Sequence, residues 1–282
     1  MSYGKRGNDK STKASNVGII GLGSVGIALR DVLGHCYPCT GYDVKGNWST
    51  WDDVLRTSVA FVCVQTPLGT DGRLDCSHVE AVLDRLSKDH YPNPVAIRST
   101  IRVGFMDRAQ KMFQGLRLVY FPEFLRERSS FLWSANPDRL LVSGEKQDVD
   151  IVLSYFDWVE ETVTIRTDYR SAEIGKLAHN AFIAAKVSFT NEIERVSLGL
   201  GADPRTVMDV VAADRRVKSR EHLRPFMGPY GGKCVPKDTD ELISAAGDSA
   251  ILLKAAREVN ENTKHNLLHP PIYAGQVSSS NC

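Results

Sequence analysis

Val17-Gly-Ile-Ile20-Gly21-Leu-Gly23-Ser24-Val25-Gly26 is the stretch that decides the fold. A short apolar run ends in Gly21, and Ile27-Ala28-Leu29 to Leu33 then continue at helical spacing. Strand, glycine turn and helix in that order form a cradle for a pyrophosphate. Residues without Cβ let the backbone turn tightly and come close to it, and the first turn of the helix stabilises its charge. Asp43 closes a second short strand, Cys39 to Tyr42, about 20 residues further on, where a carboxylate would hold ribose hydroxyls. An acid at that point disfavours a 2′-phosphate, so the reading is NAD rather than NADP, with Lys45 weighing the other way. The alternative is a glycine turn in an α/β protein that binds nothing.

Outward from this turn, strands and helices alternate. Ser58–Val64 is a continuous apolar run, as a strand buried on both faces should be, and Val79 to Leu86 has helical spacing. Pro94–Arg98, Leu116–Phe121, Leu140–Ser143 and Thr162–Ile165 read as further strands, which calls for a parallel sheet. The segment between Asp43 and Ser58 is short for a full crossover helix, so the adenine side of the pocket is expected to be trimmed. After Arg166 the pattern becomes helical. Asp168 is placed to cap a long helix reaching Gly199, and more helices are expected at 203–213, 238–246 and 249–265. The expected fold class is therefore α/β: an N-terminal Rossmann doubly wound sheet over 16–166, then an all-helical domain with one long helix over 167–266. Residues 1–15 and 267–282 read as flexible tails.

Composition narrows the function classes. The 35 Lys+Arg and 34 Asp+Glu of this 282-residue chain nearly cancel, which argues against nucleic acid or an anionic membrane as partner. No stretch reaches the roughly 20 apolar residues of a membrane span, and the polar, basic N-terminus has no apolar signal core. Six scattered cysteines point to a reducing, cytoplasmic setting without disulfides. Cys36 and Cys39 have a C-x-x-C spacing, but nothing completes a metal site, and they are read as semi-buried thiols.

The helical half holds the chemistry. In Gly231-Gly232-Lys233-Cys234-Val-Pro236-Lys237-Asp238, two glycines precede a cysteine just ahead of a helix. A helix N-terminus and flanking cations favour a thiolate, which would add to an aldehyde; the bland reading is a buried cysteine in a glycine turn. Lys176 and Asn180 share one helix face, where an ammonium beside an amide would stabilise an oxyanion and orient a hydroxyl. Their alternative is a solvated lysine and a helix-end amide. Glu123 and Glu127 follow a strand end directly, as an acid/base pair, as activators of water, or as surface partners of Arg126 and Arg128.

Taken together, these stretches resemble the UDP-glucose/GDP-mannose dehydrogenase family. The motifs occur in order: GLGSVG (21–26), FVCVQTPLGTDGRLDCSHV (61–79), RST (98–100), FPEFLRERS (121–129), NPDRLLVSG (136–144), EIGKLAHNAFIAAKVSFTNEI (173–193) and YGGKCVPKD (230–238). The resemblance implies oxidation of a nucleotide-sugar primary alcohol to a carboxylate, with two hydride transfers to NAD, in the service of polysaccharide biosynthesis. By position, Gly21, Gly23, Ser24, Val25, Gly26, Asp43, Thr66, Pro67 and Thr100 would hold the cofactor. Asp238 and a water would take the hydroxyl proton, Lys176 and Asn180 would stabilise oxyanions, and Cys234 would carry the thiohemiacetal and thioester. Glu127, with Thr100 and Asp238, would help hydrolyse the thioester, and Glu123 would position the sugar. The 169–199 helix is implied as a homodimer surface, and no metal is implied.

Three departures stand out. Gln65 replaces a proline of the family pattern, and Ile101-Arg102 replaces valine-proline. Family members carry a third, C-terminal nucleotide-sugar-binding domain, which this sequence is expected to lack. Arg215, Arg216, Lys218 and Arg220 would bind a diphosphate in its place or form a solvated charge run. Two other functions remain open: a two-electron dehydrogenase of the hydroxyacid type, and an inactive, NAD-binding or dimerising truncated homologue.

Overall fold

The structure is a computed structural model, and it describes residues 16–46, 48–125, 130–159, 162–217 and 219–268. The chain divides into two compact units. The first takes the chain up to Thr66, Cys76–Thr100 and Gly104–Ala172; the second takes Pro67–Asp75, Ile101–Val103 and everything from Glu173 onward.

The first unit is a seven-stranded sheet in the order β2-β1-β3-β4-β5-β6-β7. Its strands are β1 (Val17–Ile20), β2 (Cys39–Tyr42), β3 (Val59–Val62), β4 (Pro94–Ile97), β5 (Arg117–Tyr120), β6 (Arg139–Gly144) and β7 (Val163–Arg166). The helices between them are α1 (Ser24–Leu33), α2 (Trp51–Leu55), α3 (Ser77–Lys88), α4 (Phe105–Met112), α5 (Ser130–Ala135) and α6 (Lys146–Ser154). β1 to β5 are all parallel. The expectation of a wholly parallel sheet needs one correction: β6 runs antiparallel to β5 and β7 is parallel to β6, so the last two strands form a reversed edge. Mixed sheets of this kind, with reversed strands at one edge of an otherwise parallel sheet, are common in doubly wound folds. β7 is exposed along its whole length.

Every residue of β1, β3 and β4 is buried, as their unbroken apolar runs require. Phe61 and Phe121 pack edge-on against Phe156 beneath the sheet. Each such fully enclosed side chain contributes about 1.5–3 kcal/mol. The crossover from β2 to β3 holds only the five-residue α2, started by a capping box between Thr50 and Asp53. β3 lies beside β1 on the side away from β2, so the strand order reverses between β1 and β3. The carboxyl ends of strands at such a reversal are where open α/β sheets bind ligands.

The second unit is built on α7 (Tyr169–Gly199), α8 (Pro204–Ala213), α9 (Val235–Ala246) and α10 (Ile251–Leu268). The carboxylate of Asp168 accepts the Ser171 N–H at 2.9 Å and caps the 31-residue α7. α9 starts three residues earlier than its apolar spacing indicates, because Pro236 fits the first turn and Cys234 serves as N-cap. α10 ends at Leu268, so Leu267 and Leu268 are helical rather than tail; residues 1–15 and 269–282 lie outside the described residues. Among the described residues no helix is long and apolar enough to cross a membrane.

Candidate active site

The glycine turn sits at the reversal point of the sheet. Gly21 has φ +92°, and a Cβ there would lie 2.9 Å from the backbone of Cys63 and Val64, so the turn excludes a side chain on both counts. A Cβ on Gly26 would stand 1.9 Å from the Gly21 carbonyl oxygen, so this glycine lets α1 press against the turn. Gly23, the N-cap of α1, differs: a Cβ there meets nothing within 4 Å. Ser24 is exposed and Val25 half-buried in the first turn of α1. Asp43 uses one carboxylate oxygen to accept the Leu22 N–H at 2.7 Å and the other to accept the Lys45 N–H at 2.8 Å. It braces the glycine turn from the end of β2.

Two threonines close the neighbouring strand ends. The Thr66 hydroxyl donates to the Thr100 carbonyl at 2.6 Å, and Ser99 donates to the Val64 carbonyl at 2.6 Å. Pro67 is exposed. Glu123, just after β5, accepts the Leu125 N–H. Beside it lies a residue that spacing alone missed. Arg98 is 6% exposed, its guanidinium stacks 4.8 Å from the Phe121 ring, and its Nε has no hydrogen-bond partner among the described residues. Burial pulls the Arg98 pKa down, while the nearby Cys63 and Glu123 push it up. The signal was available: a cation ends the apolar run of β4. Glu127 lies outside the described residues.

The second unit gathers the other candidates. Asp238 is fully buried on α9; one oxygen accepts from Asn180 Nδ2 at 2.5 Å and the other from Lys237 Nζ at 2.6 Å. Lys176 and Asn180 are buried one turn apart on α7, with Glu173 buried beside them. The solvated-lysine reading is thereby corrected for Lys176, which is 3% exposed. Cys234 is exposed, so the buried-cysteine reading is also corrected; its thiol stands at the N-terminus of α9 with Gly232 turning at φ +76° just ahead. Cys36 is exposed rather than semi-buried, Cys39 is half-buried, and all five cysteines among the described residues are free. Among the described residues, no group of three or more His, Cys, Asp or Glu is placed to hold a metal ion. Arg216 and Arg220 are held by Asp214 and Asp209.

Residues 44–156 match the model of the NAD binding domain of the UDP-glucose/GDP-mannose dehydrogenase family, and residues 170–262 match that of its central domain. The chain belongs to this family. A UDP-glucose 6-dehydrogenase of Bacillus subtilis is 31% identical over 226 residues, covering 76% of this chain and 51% of the relative. One from Streptococcus pneumoniae is 28% identical, covering 78% of this chain and 58% of the relative. The chain thus spans about half the length of the curated relatives it matches. Among solved structures, a UDP-glucose dehydrogenase of the archaeon Pyrobaculum islandicum superposes with a TM-score of 0.83 at 24% identity, covering 94% of this chain and 72% of that one. That likeness supports the fold.

Members of the UDP-glucose/GDP-mannose dehydrogenase family are NAD-dependent, and the first unit fits the cofactor. The open space at Gly23, in front of the first-turn N–H groups of α1, suits a pyrophosphate, and Asp43 presents a carboxylate beside it.

Proposed function

We propose that this chain carries the NAD-binding and catalytic parts of a nucleotide-sugar 6-dehydrogenase that oxidises a primary alcohol to a carboxylate through Cys234. The observation that carries the proposal is the buried Lys237–Asp238–Asn180 network on α7 and α9, with an exposed thiol at the N-cap four residues before Asp238.

Each residue has a chemical task in this reading. Bound NAD supplies the hydride acceptor for both oxidation steps. Asp238, acting through a water, takes the hydroxyl proton as the alcohol becomes an aldehyde. Lys176 and the Asn180 amide stabilise the negative charge that develops on oxygen. The Cys234 thiolate adds to the aldehyde carbon, and the thiohemiacetal keeps the intermediate from escaping while making it a hydride donor again. Water then cleaves the thioester, aided by Thr100, Asp238 and Glu127, and regenerates the thiolate. Glu123 positions the sugar, and Thr66 and Pro67 line the cofactor together with the glycine turn.

Phe182, Phe189 and Val196, all exposed and seven residues apart on α7, support a homodimer through this helix. Light scattering of the purified chain should give twice the monomer mass. The five cysteines among the described residues, all free, suit a reducing, cytoplasmic setting.

The test is a panel of UDP-, GDP- and dTDP-sugars with NAD, counting NADH formed per sugar consumed. Two NADH and a uronate are expected, and Cys234→Ser should stop the reaction at the first NADH. One NADH with the native chain would point to the hydroxyacid type of dehydrogenase. NAD binding without turnover would point to a non-catalytic homologue.

A further inference from the structure

Outside the proposed catalytic set, the second unit contains an ion pair between a buried carboxylate and a partly exposed arginine that the reaction does not use. Glu241 is 0% exposed, yet it carries a carboxylate. Oε1 accepts from Arg73 Nε at 3.0 Å and from Arg73 Nη2 at 2.9 Å; Oε2 accepts the Leu74 N–H at 2.7 Å. The Val103 N–H points at Oε1 from 3.4 Å. Ser244, one turn further along α9, donates to the Gly72 carbonyl at 3.0 Å. Arg102, which stands where the family pattern has proline, donates through both Nε and Nη2 to the Leu74 carbonyl.

These contacts hold two short segments to one side of one helix. Residues 67–75 directly follow Thr66, and residues 101–103 directly follow Thr100, the two strand-end threonines of the cofactor edge. The 67–75 segment is itself tightly folded. Gly69 donates to the Arg73 carbonyl at 2.7 Å, Asp75 donates to the Pro67 carbonyl at 2.7 Å, and Arg73 N–H is accepted by Asp71. On α9, Asp238 and Glu241 are one turn apart, and Cys234 caps the same helix. A fully buried carboxylate is costly unless every lone pair is used, and here each donor comes from one of the two crossing segments.

We propose that Glu241 is a positioning residue: with Arg73 it fixes the helix bearing Cys234 and Asp238 to the segments that leave Thr66 and Thr100, so that occupancy of the cofactor edge is felt at the thiol. The inference rests on the dehydrogenase reading of Cys234. Hydrogen bonds to a buried charge are short-ranged and directional, so the coupling needs the guanidinium fork and not merely a positive charge.

The experiment follows alkylation of Cys234 by iodoacetamide, read by mass spectrometry, without NAD and at saturating NAD confirmed by tryptophan fluorescence. Cys36, exposed in the first unit, is the internal control. In the native chain, NAD should change the Cys234 rate at least fivefold and leave Cys36 unchanged. In Glu241→Gln and in the double variant Arg73→Met/Glu241→Gln, the response at Cys234 should fall below twofold, with Cys36 again unchanged. Should Glu241→Gln fail to fold, Arg73→Lys, which keeps the charge and loses the fork, carries the same readout. A full NAD response surviving in the folded variants overturns the inference alone. A native Cys234 that ignores bound NAD overturns the dehydrogenase reading and this inference with it.

Discussion

The glycine turn of the first unit and the α7–α9 contact of the second solve opposite problems. The turn is made from backbone and from missing side chains: Gly21 and Gly26 leave no room for a Cβ, and Gly23 leaves open space in front of a helix N-terminus. The α7–α9 contact is made from side chains that are costly to bury, Asn180 and Asp238, which are hydrogen-bonded to each other, with Lys176 buried one turn from Asn180 on α7. A backbone site tolerates changes that add no volume, whereas a buried polar network fails when any one partner is lost.

The largest test of this contrast is Asp238→Ala. It leaves the Asn180 amide and the Lys237 ammonium without their acceptor, and unfolding by urea should show a loss of about 3–4 kcal/mol. A loss below about 1 kcal/mol would mean that the network is not the strong point of the second unit. Gly26→Ala should come next. With a methyl forced to 1.9 Å from the Gly21 carbonyl, α1 must move, at about 2–3 kcal/mol by the same measurement, and NAD binding should disappear from fluorescence titration. Gly23→Ala sharpens the comparison. Its added methyl meets nothing in the protein, so stability should stay within about 0.5 kcal/mol. NAD affinity should nonetheless fall about tenfold, or about 1.4 kcal/mol, because the methyl takes the space assigned to the pyrophosphate. Equal effects of Gly23→Ala on stability and on binding would break that assignment.

The smallest effect is in the pH dependence. Burial pushes the Cys63 thiol up to about 12 from an ordinary 9.0, and the Cys39 thiol up to about 11. A raised thiol pKa favours the protonated form in the folded chain. Its stabilisation is therefore complete below pH 9 and is lost as pH rises from 9 towards the folded value, where the unfolded chain ionises first. Cys63 should account for about 1 kcal/mol of lost stability by pH 10. Cys63→Ala should flatten the slope of urea midpoint against pH, and an unchanged slope would refute the buried assignment.

Several features of the fold could be read before any coordinates. The glycine turn, the apolar runs of β1, β3 and β4, the short β2 to β3 crossover and the long α7 all follow from local pattern and chain length. The direction of β6 did not, because an apolar run specifies burial but not which way the strand runs. Leu267 and Leu268 read as the start of a tail, yet α10 continues to Leu268. Among the candidate site residues, Asp43, Lys176, Asn180, Cys234 and Asp238 were singled out by motif and spacing, and the last four belong to the second unit. Arg73 and Glu241 were not, since neither sits at a helical or strand period relative to the other.

By itself, the sequence determined where backbone had to bend and which faces had to be buried, because both depend on interactions within a few residues. The tertiary structure alone decided which buried charges share a partner: Asn180 with Asp238 across 58 positions, and Arg73 with Glu241 across 168. A carboxylate in the core is stable only when donors converge on it, and no local pattern encodes which distant groups complete the set.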